Sequence, residues 1–208
     1  MIKLGVFFPD HLNLNGDLGN VSVIKKQLDW RGVDSVVIGI TSEDQLSDGF
    51  DLLFLGHGSE AAWADIEHRM PNFDSVIERV LDSDIPFMAV STGFERIVAS
   101  GALQGLSQST RDARTSKFEV ADDGDVKVLG YLNTECDLPL VFRSGALVAT
   151  MLHGPVLSRN ASLLNEILVA ISTRAGIDLP ALMDAKKADQ LADLIAEVWK
   201  LEEELASE

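Results

Sequence analysis

Ile85-Pro86-Phe87-Met88-Ala89-Val90-Ser91-Thr92-Gly93-Phe94-Glu95 runs from a short apolar stretch through a small-residue turn into a new amphipathic stretch. A brief apolar run that stops at a turn suits a strand buried on both faces. Gly93–Ser100 suits a helix. Ser91 therefore stands on a sharp strand-to-helix elbow, the place where an α/β fold holds a nucleophile clear of its sheet.

The same alternation repeats toward the N-terminus. Ile2–Phe8 is an apolar run ending at Pro9, Ser35–Ile40 is β-branched, and Asp51–Leu55 precedes Gly56-His57-Gly58-Ser59. Between these runs, Val21–Arg31 sets Val21, Ile24 and Leu28 on one helical face and stops at Gly32. Ala61–Arg69 suits a short helix, and Asn72–Leu81 aligns Phe73, Val76, Ile77 and Val80. Leu46–Phe50 reads as a short connection. Strands alternating with helices predict a parallel sheet with helices on both faces. Ligand sites in such sheets lie beyond the carboxyl ends of the strands. That rule gathers the Leu12–Asn20 loop, the Gly56 loop and Ser91 at one end.

The pattern changes after Gly105. Lys117–Val120, Val126–Tyr131, Pro139–Phe142 and Leu147–Met151 are short and β-rich, with the turn residues Asp122-Asp123-Gly124-Asp125 between the first two. They predict a smaller, more antiparallel half. A helix follows over Ala161–Ala175. A last helix spans Lys186–Leu205, with Leu191, Leu194, Ile195, Val198 and Leu201 on one face and Trp199 beside it. The expected division is a main domain over residues 1–178 and a helical extension over 179–208, packed on the domain or on a partner.

Composition narrows the function. Thirty-three acidic against 17 basic residues give a net charge of −16, unsuited to a nucleic-acid surface, where phosphates call for clustered cations. The single cysteine, Cys136, rules out an internal disulfide and fits a reducing, cytoplasmic setting. No apolar run approaches the roughly 18 residues of a membrane span, and the broken start, Met1 to Pro9, does not suit a signal peptide. The spacing of His57, His153 and the acids matches no metal-ligand pattern, and no cofactor is expected.

Sixty-two positions after Ser91, Leu152-His153-Gly154-Pro155 supplies a histidine at a strand end. A nucleophile on an elbow with a distant histidine is an acyl-transfer layout. Serine carries no reactive anion at neutral pH, so it needs a strong base and a tuned oxyanion hole. Thr92 and Glu95 have a structural account of their own, because Thr-x-x-Glu is a capping box for a helix start. His57, between two glycines, either hydrogen-bonds a ligand or caps its loop. Arg111 and Arg114 read as a solvated loop able to meet a carboxylate, and Cys136 as an idle thiol.

Three motifs, taken in order, carry a resemblance. Asn13-Leu14-Asn15-Gly16-Asp17-Leu18-Gly19-Asn20 with Trp30-Arg31-Gly32, then Ala89-Val90-Ser91-Thr92-Gly93-Phe94-Glu95, then Leu152-His153-Gly154-Pro155-Val156-Leu157-Ser158-Arg159-Asn160 resemble the GatD-type, CobB/CobQ-like class I glutamine amidotransferases over roughly residues 1–172. The resemblance implies a flavodoxin-type sheet and hydrolysis of L-glutamine to glutamate and ammonia. It also implies a heterodimer with a Mur-ligase-like, ATP-dependent subunit that amidates lipid II. No G-x-x-x-x-G-K-[ST] is present in this chain, as suits a glutaminase half that leaves ATP to its partner.

By the same resemblance, Ser91 holds the nucleophile position and His153 that of the base. Gly56, His57, Gly58 and the Thr92 amide would form the oxyanion hole, and Lys117 would bind the glutamine. The departures are Ser91 for the family's cysteine, Thr92 for a glycine, Glu95 for a glutamine, and Lys117 for an arginine whose bidentate fork is lost. Asn133-Thr134-Glu135-Cys136 stands where the family often has Asn-His-Gly-Gly. Ser91 is open to three readings: a poor glutaminase residue in a scaffolding homologue, an engineered Cys→Ser exchange, or the nucleophile of a serine acyl hydrolase.

Overall fold

The computed structural model describes residues 1–124 and 126–206. Asp125, the end of the turn expected at 122–125, lies outside the described residues, as do the last two positions of the C-terminal extension. In chain order the strands are β1 (Ile2–Phe7), β2 (Ser35–Ile40), β3 (Leu52–Leu55), β4 (Phe87–Val90), β5 (Thr110–Asp123), β6 (Val126–Cys136), β7 (Val141–Ser144), β8 (Leu147–Thr150) and β9 (Leu152–His153). The helices are α1 (Gly19–Trp30), α2 (Glu60–Arg69), α3 (Phe73–Leu81), α4 (Thr92–Ala99), α5 (Ala161–Ala175) and α6 (Ala185–Ala206). The connection read from sequence at Leu46–Phe50 overlaps the end of a 3-10 turn over Glu43–Asp48.

The main sheet has the order β2-β1-β3-β4-β8-β7. Its first five strands are parallel and β7 closes the edge antiparallel to β8. β3 and β4 are buried at every position, which is why they read as unbroken apolar runs. Phe73 of α3 reaches into this core, edge-on to Phe7 at 5.8 Å, to Phe8 at 6.2 Å and to Trp63 at 5.9 Å. Such pairs add about 0.5–1.5 kcal/mol each beyond their burial. Among the described residues, two non-glycine residues take positive φ, Phe8 at 43° and Ser91 at 49°, and each directly follows the end of a central strand.

The second half differs from the sequence reading in two ways. Leu147–Thr150 pairs antiparallel with β7, as expected of this half, but on its other side it joins the main sheet as a parallel neighbour of β4. β5, β6 and β9 form a separate antiparallel sheet, built on a long hairpin in which Asp123 faces Val126 and Thr115 faces Thr134. Half of Thr110–Asp123 is exposed and only Ala121 is buried, so its hydropathy understates its length. Arg111 and Arg114, expected on a loop, lie on this strand.

α6 packs against β5 and β6 with Leu191, Ile195, Val198, Trp199 and Glu202 half-buried. Leu194 and Leu201, expected on the inner face, are 56% and 62% exposed. Trp199 Nε1 donates to the Arg159 carbonyl at 2.6 Å, and Arg159 pairs with Glu202 at 2.8 Å. These anchors turn the helix so that positions 194 and 201 face outward. The Trp30-Arg31-Gly32 motif secures the preceding segment: Arg31 donates to the Pro180 carbonyl and the Trp30 carbonyl accepts from Met183 N–H, both at 3.0 Å. No helix among the described residues is long and apolar enough to cross a membrane.

Candidate active site

β4 and β8 end side by side, and the Ser91 N–H donates to the Thr150 carbonyl at 2.7 Å. Ser91 then turns through φ 49°, ψ −113° into α4. Non-glycine residues in such sparsely populated regions cost about 1–3 kcal/mol and collect at functional sites. The turn needs Gly93, because a Cβ there would lie 2.8 Å from the carbonyl oxygens of Leu55 and Gly56. From the end of β8 the chain crosses at Met151 into β9, where His153 pairs with Tyr131 of β6. The elbow and the histidine motif are thereby brought to the same end of the molecule.

Ser91 is 1% exposed and its Oγ has no hydrogen-bond partner. His153 is 3% exposed, and both of its nitrogens are engaged away from Ser91. Nε2 lies 3.3 Å from the Asn133 carbonyl, which can only accept, so Nε2 donates. Nδ1 lies 3.0 Å from the Asn15 side-chain amide and accepts from it. With its donor nitrogen on Asn133 and its lone pair on Asn15, the imidazole has nothing to take the serine proton. The base role expected of His153 is not assembled in this arrangement.

The loop read from sequence as turn-rich holds this histidine. The Gly154 N–H donates to Asp17 Oδ1 at 3.0 Å, and that oxygen lies 3.8 Å from His153 Nδ1. Asp17 is fully buried and its Oδ2 has no partner. The Asn20 amide donates to the carbonyls of Asp17 and Gly154, and its oxygen accepts from the Leu157 N–H. Asn160 Oδ1 accepts from the Leu129 N–H, while its amide donates to the Leu129 and Val156 carbonyls. Asn15 and Asp17 are thus site residues, although nothing in the spacing of their motif marks them as holding the histidine.

Thr92 and Glu95 do not form the capping box. Ser91 is the N-cap and makes no side-chain cap bond. Thr92 Oγ1 instead accepts from the Gly58 N–H at 2.9 Å and from Trp63 Nε1 at 3.0 Å. The Gly58 amide, expected to line an oxyanion hole, is therefore occupied by the Thr92 side chain. Gly56 and Gly58 are packed against the Leu12 loop: a Cβ at Gly56 would strike the Leu12 carbonyl oxygen, and one at Gly58 would lie 2.6 Å from Leu12 Cδ2. Ser59 caps α2, accepting from the Ala62 N–H.

A cavity of about 590 Å³ opens over the elbow, with Ser91, Thr92, His57, Gly58, Glu95 and Arg114 on its wall. Burial raises the Glu95 carboxyl above its ordinary range, partly offset by a hydrogen bond from Thr134 and by the nearby His153 and Arg114. Asn133 to Cys136 also face this space. Arg114 Nε donates to Asn133 Oδ1 at 2.8 Å. Lys117, expected to bind the substrate, is not on the wall; its Nζ pairs with Glu119 at 2.7 Å. The Cys136 thiol is pushed up to about 11 by burial and by Glu95 and Asp137, so it carries no thiolate at neutral pH. Among the described residues no cluster of His, Cys, Asp and Glu is arranged to hold a metal ion.

No family model matches the chain. It is 21% identical to the lipid II isoglutaminyl synthase (glutamine-hydrolyzing) subunit GatD of Staphylococcus aureus, over 91% of this chain and 90% of that one. Among solved structures, a glutamine amidotransferase from Thermotoga maritima is 16% identical, with a TM-score of 0.54 over 96% of this chain and 97% of that one. The glutaminase domain of Trypanosoma brucei CTPS, bound to acivicin, is 12% identical, with a TM-score of 0.52 over 86% of this chain and 95% of that one. The chain is GatD-like in sequence and has the fold of the class I glutamine amidotransferases.

Proposed function

We propose that this chain is the glutamine amidotransferase-type subunit of a cytoplasmic assembly that amidates lipid II, and that it retains the glutamine site without hydrolysing glutamine efficiently. The carrying observation is the pairing of a strained Ser91 elbow with an unpartnered Oγ. A nucleophile position is held in shape while the base is tied to Asn15 and Asn133. The occupied Gly58 amide supports the same reading, since losing one oxyanion donor alone costs about 100–1,000-fold in rate.

The ligand is L-glutamine, with Arg114 on the cavity wall as the group for its carboxylate and Glu95 or Glu135 for its ammonium. The likeness to GatD supports a Mur-ligase-like, ATP-dependent partner. Residues 179–208 form an extension beyond the 1–178 domain, and its outward Leu194 and Leu201 are available to that partner. Calorimetric titration tests the reading. L-glutamine should bind saturably and D-glutamine should not, with binding lost in Arg114→Ala. Absence of L-glutamine binding to the wild-type chain, alone and with the Mur-ligase-like subunit, would sink it.

A further inference from the structure

His57 is the one histidine on the cavity wall, and it stands edge-to-face against His153, ring centroids 4.7 Å apart at 85°. Ser91 shares that wall, whereas His153 does not reach it. The His57 Nδ1 is buried with no hydrogen-bond partner, so the ring is not held by a polar contact there. Its backbone is held instead. The His57 carbonyl accepts from the Leu14 N–H at 3.1 Å, and the flanking Gly56 and Gly58 are wedged against the Leu12 loop.

We infer that His57 is a positioning residue that insulates His153 from residue 91, so that restoring a thiol at the elbow does not by itself restore the nucleophile–base pair. The charged groups around the two rings are Asp17, Glu95 and Arg114. Burial and the neighbouring His153 lower the His57 imidazole to about 4, so it stays uncharged at neutral pH. An uncharged ring attracts no thiolate and, filling the space, keeps the second imidazole behind it. The inference rests on the reading of Ser91 as a nucleophile position, but not on glutamine being the ligand.

The test is the pH dependence of alkylation by iodoacetamide at position 91, mapped by mass spectrometry to separate it from Cys136. The variants are Ser91→Cys, Ser91→Cys with His57→Ala, and Ser91→Cys with His57→Phe, each checked for a native circular dichroism spectrum. A thiol without a basic partner titrates near 8.5 or above, and one paired with a histidine falls below about 7.5. The inference expects the lowered profile only in the His57→Ala pair, where the emptied space lets the His153 ring leave its 3.3 Å contact with the Asn133 carbonyl and turn toward residue 91, with His57→Phe, which keeps a ring in place, matching Ser91→Cys alone. A low profile already in Ser91→Cys, no shift on His57→Ala, or an equal shift with His57→Phe would overturn it. Ammonia release from L-glutamine is read on the same samples. A shifted profile without ammonia leaves the insulation standing and removes the glutamine reading.

Discussion

The side-chain amide of Asn15 meets Nδ1 of His153 at 3.0 Å, although 138 positions separate them in the chain. That contact, with Nε2 on the Asn133 carbonyl, fixes which nitrogen carries the proton. In nitrogen-15 NMR spectra at neutral pH, His153 should show an unprotonated Nδ1 and a protonated Nε2. Asn15→Asp places a carboxylate against Nδ1 and should leave both nitrogens protonated. A wild-type spectrum with the proton on Nδ1 would contradict the arrangement.

Thr92 joins the elbow to the Gly56 loop by accepting from both Gly58 N–H and Trp63 Nε1. Thr92→Val keeps the shape and removes the acceptor, leaving two donors without a partner. A half-buried donor left unpaired costs about 1–3 kcal/mol, so the urea midpoint should fall by a corresponding amount with the slope unchanged. A midpoint equal to that of the wild type would show that the hydroxyl does not hold the loop.

Glu95 gives a pH signature with a defined sign. Burial raises its carboxyl in the folded state, so between the ordinary glutamate value of about 4.3 and the raised value the folded protein binds more protons than the unfolded chain. Stability from this group is fully present below the ordinary value and is lost as pH rises through the raised one. Glu95→Gln should therefore be more stable than the wild type at pH 7 and match it at low pH. Equal stability at both, by chemical denaturation, would show that the carboxyl does not pay a burial cost. His57 acts in the opposite direction: its lowered imidazole makes stability fall between about pH 6.5 and about 4, a slope that His57→Asn should flatten.

The parallel half of the fold is legible because β3 and β4 are apolar throughout and the helices between strands carry clear stripes such as Phe73, Val76, Ile77 and Val80. The β5–β6 hairpin is not. Thr110–Asp123 has one buried residue, Ala121, and half of its positions are exposed, so its strand character comes from pairing with β6, which local hydropathy does not encode. The elbow at Ser91 and the motif at His153 are visible as motifs. Their failure to meet is not visible, because it depends on Asn15, Asn133 and His57, contributed by three other segments. Thr92 shows the same limit: a Thr-x-x-Glu spacing has the form of a capping box, yet the N-cap falls one residue earlier, on Ser91, and the Thr92 hydroxyl is drawn to Gly58.

The central claim is that Ser91 marks a glutamine site that does not turn glutamine over. Ammonia released from L-glutamine by the wild-type chain, alone and with its Mur-ligase-like subunit, measured against Ser91→Ala, tests this most directly. The account predicts the same near-background rate for both. Release by the wild type that disappears in Ser91→Ala would contradict it.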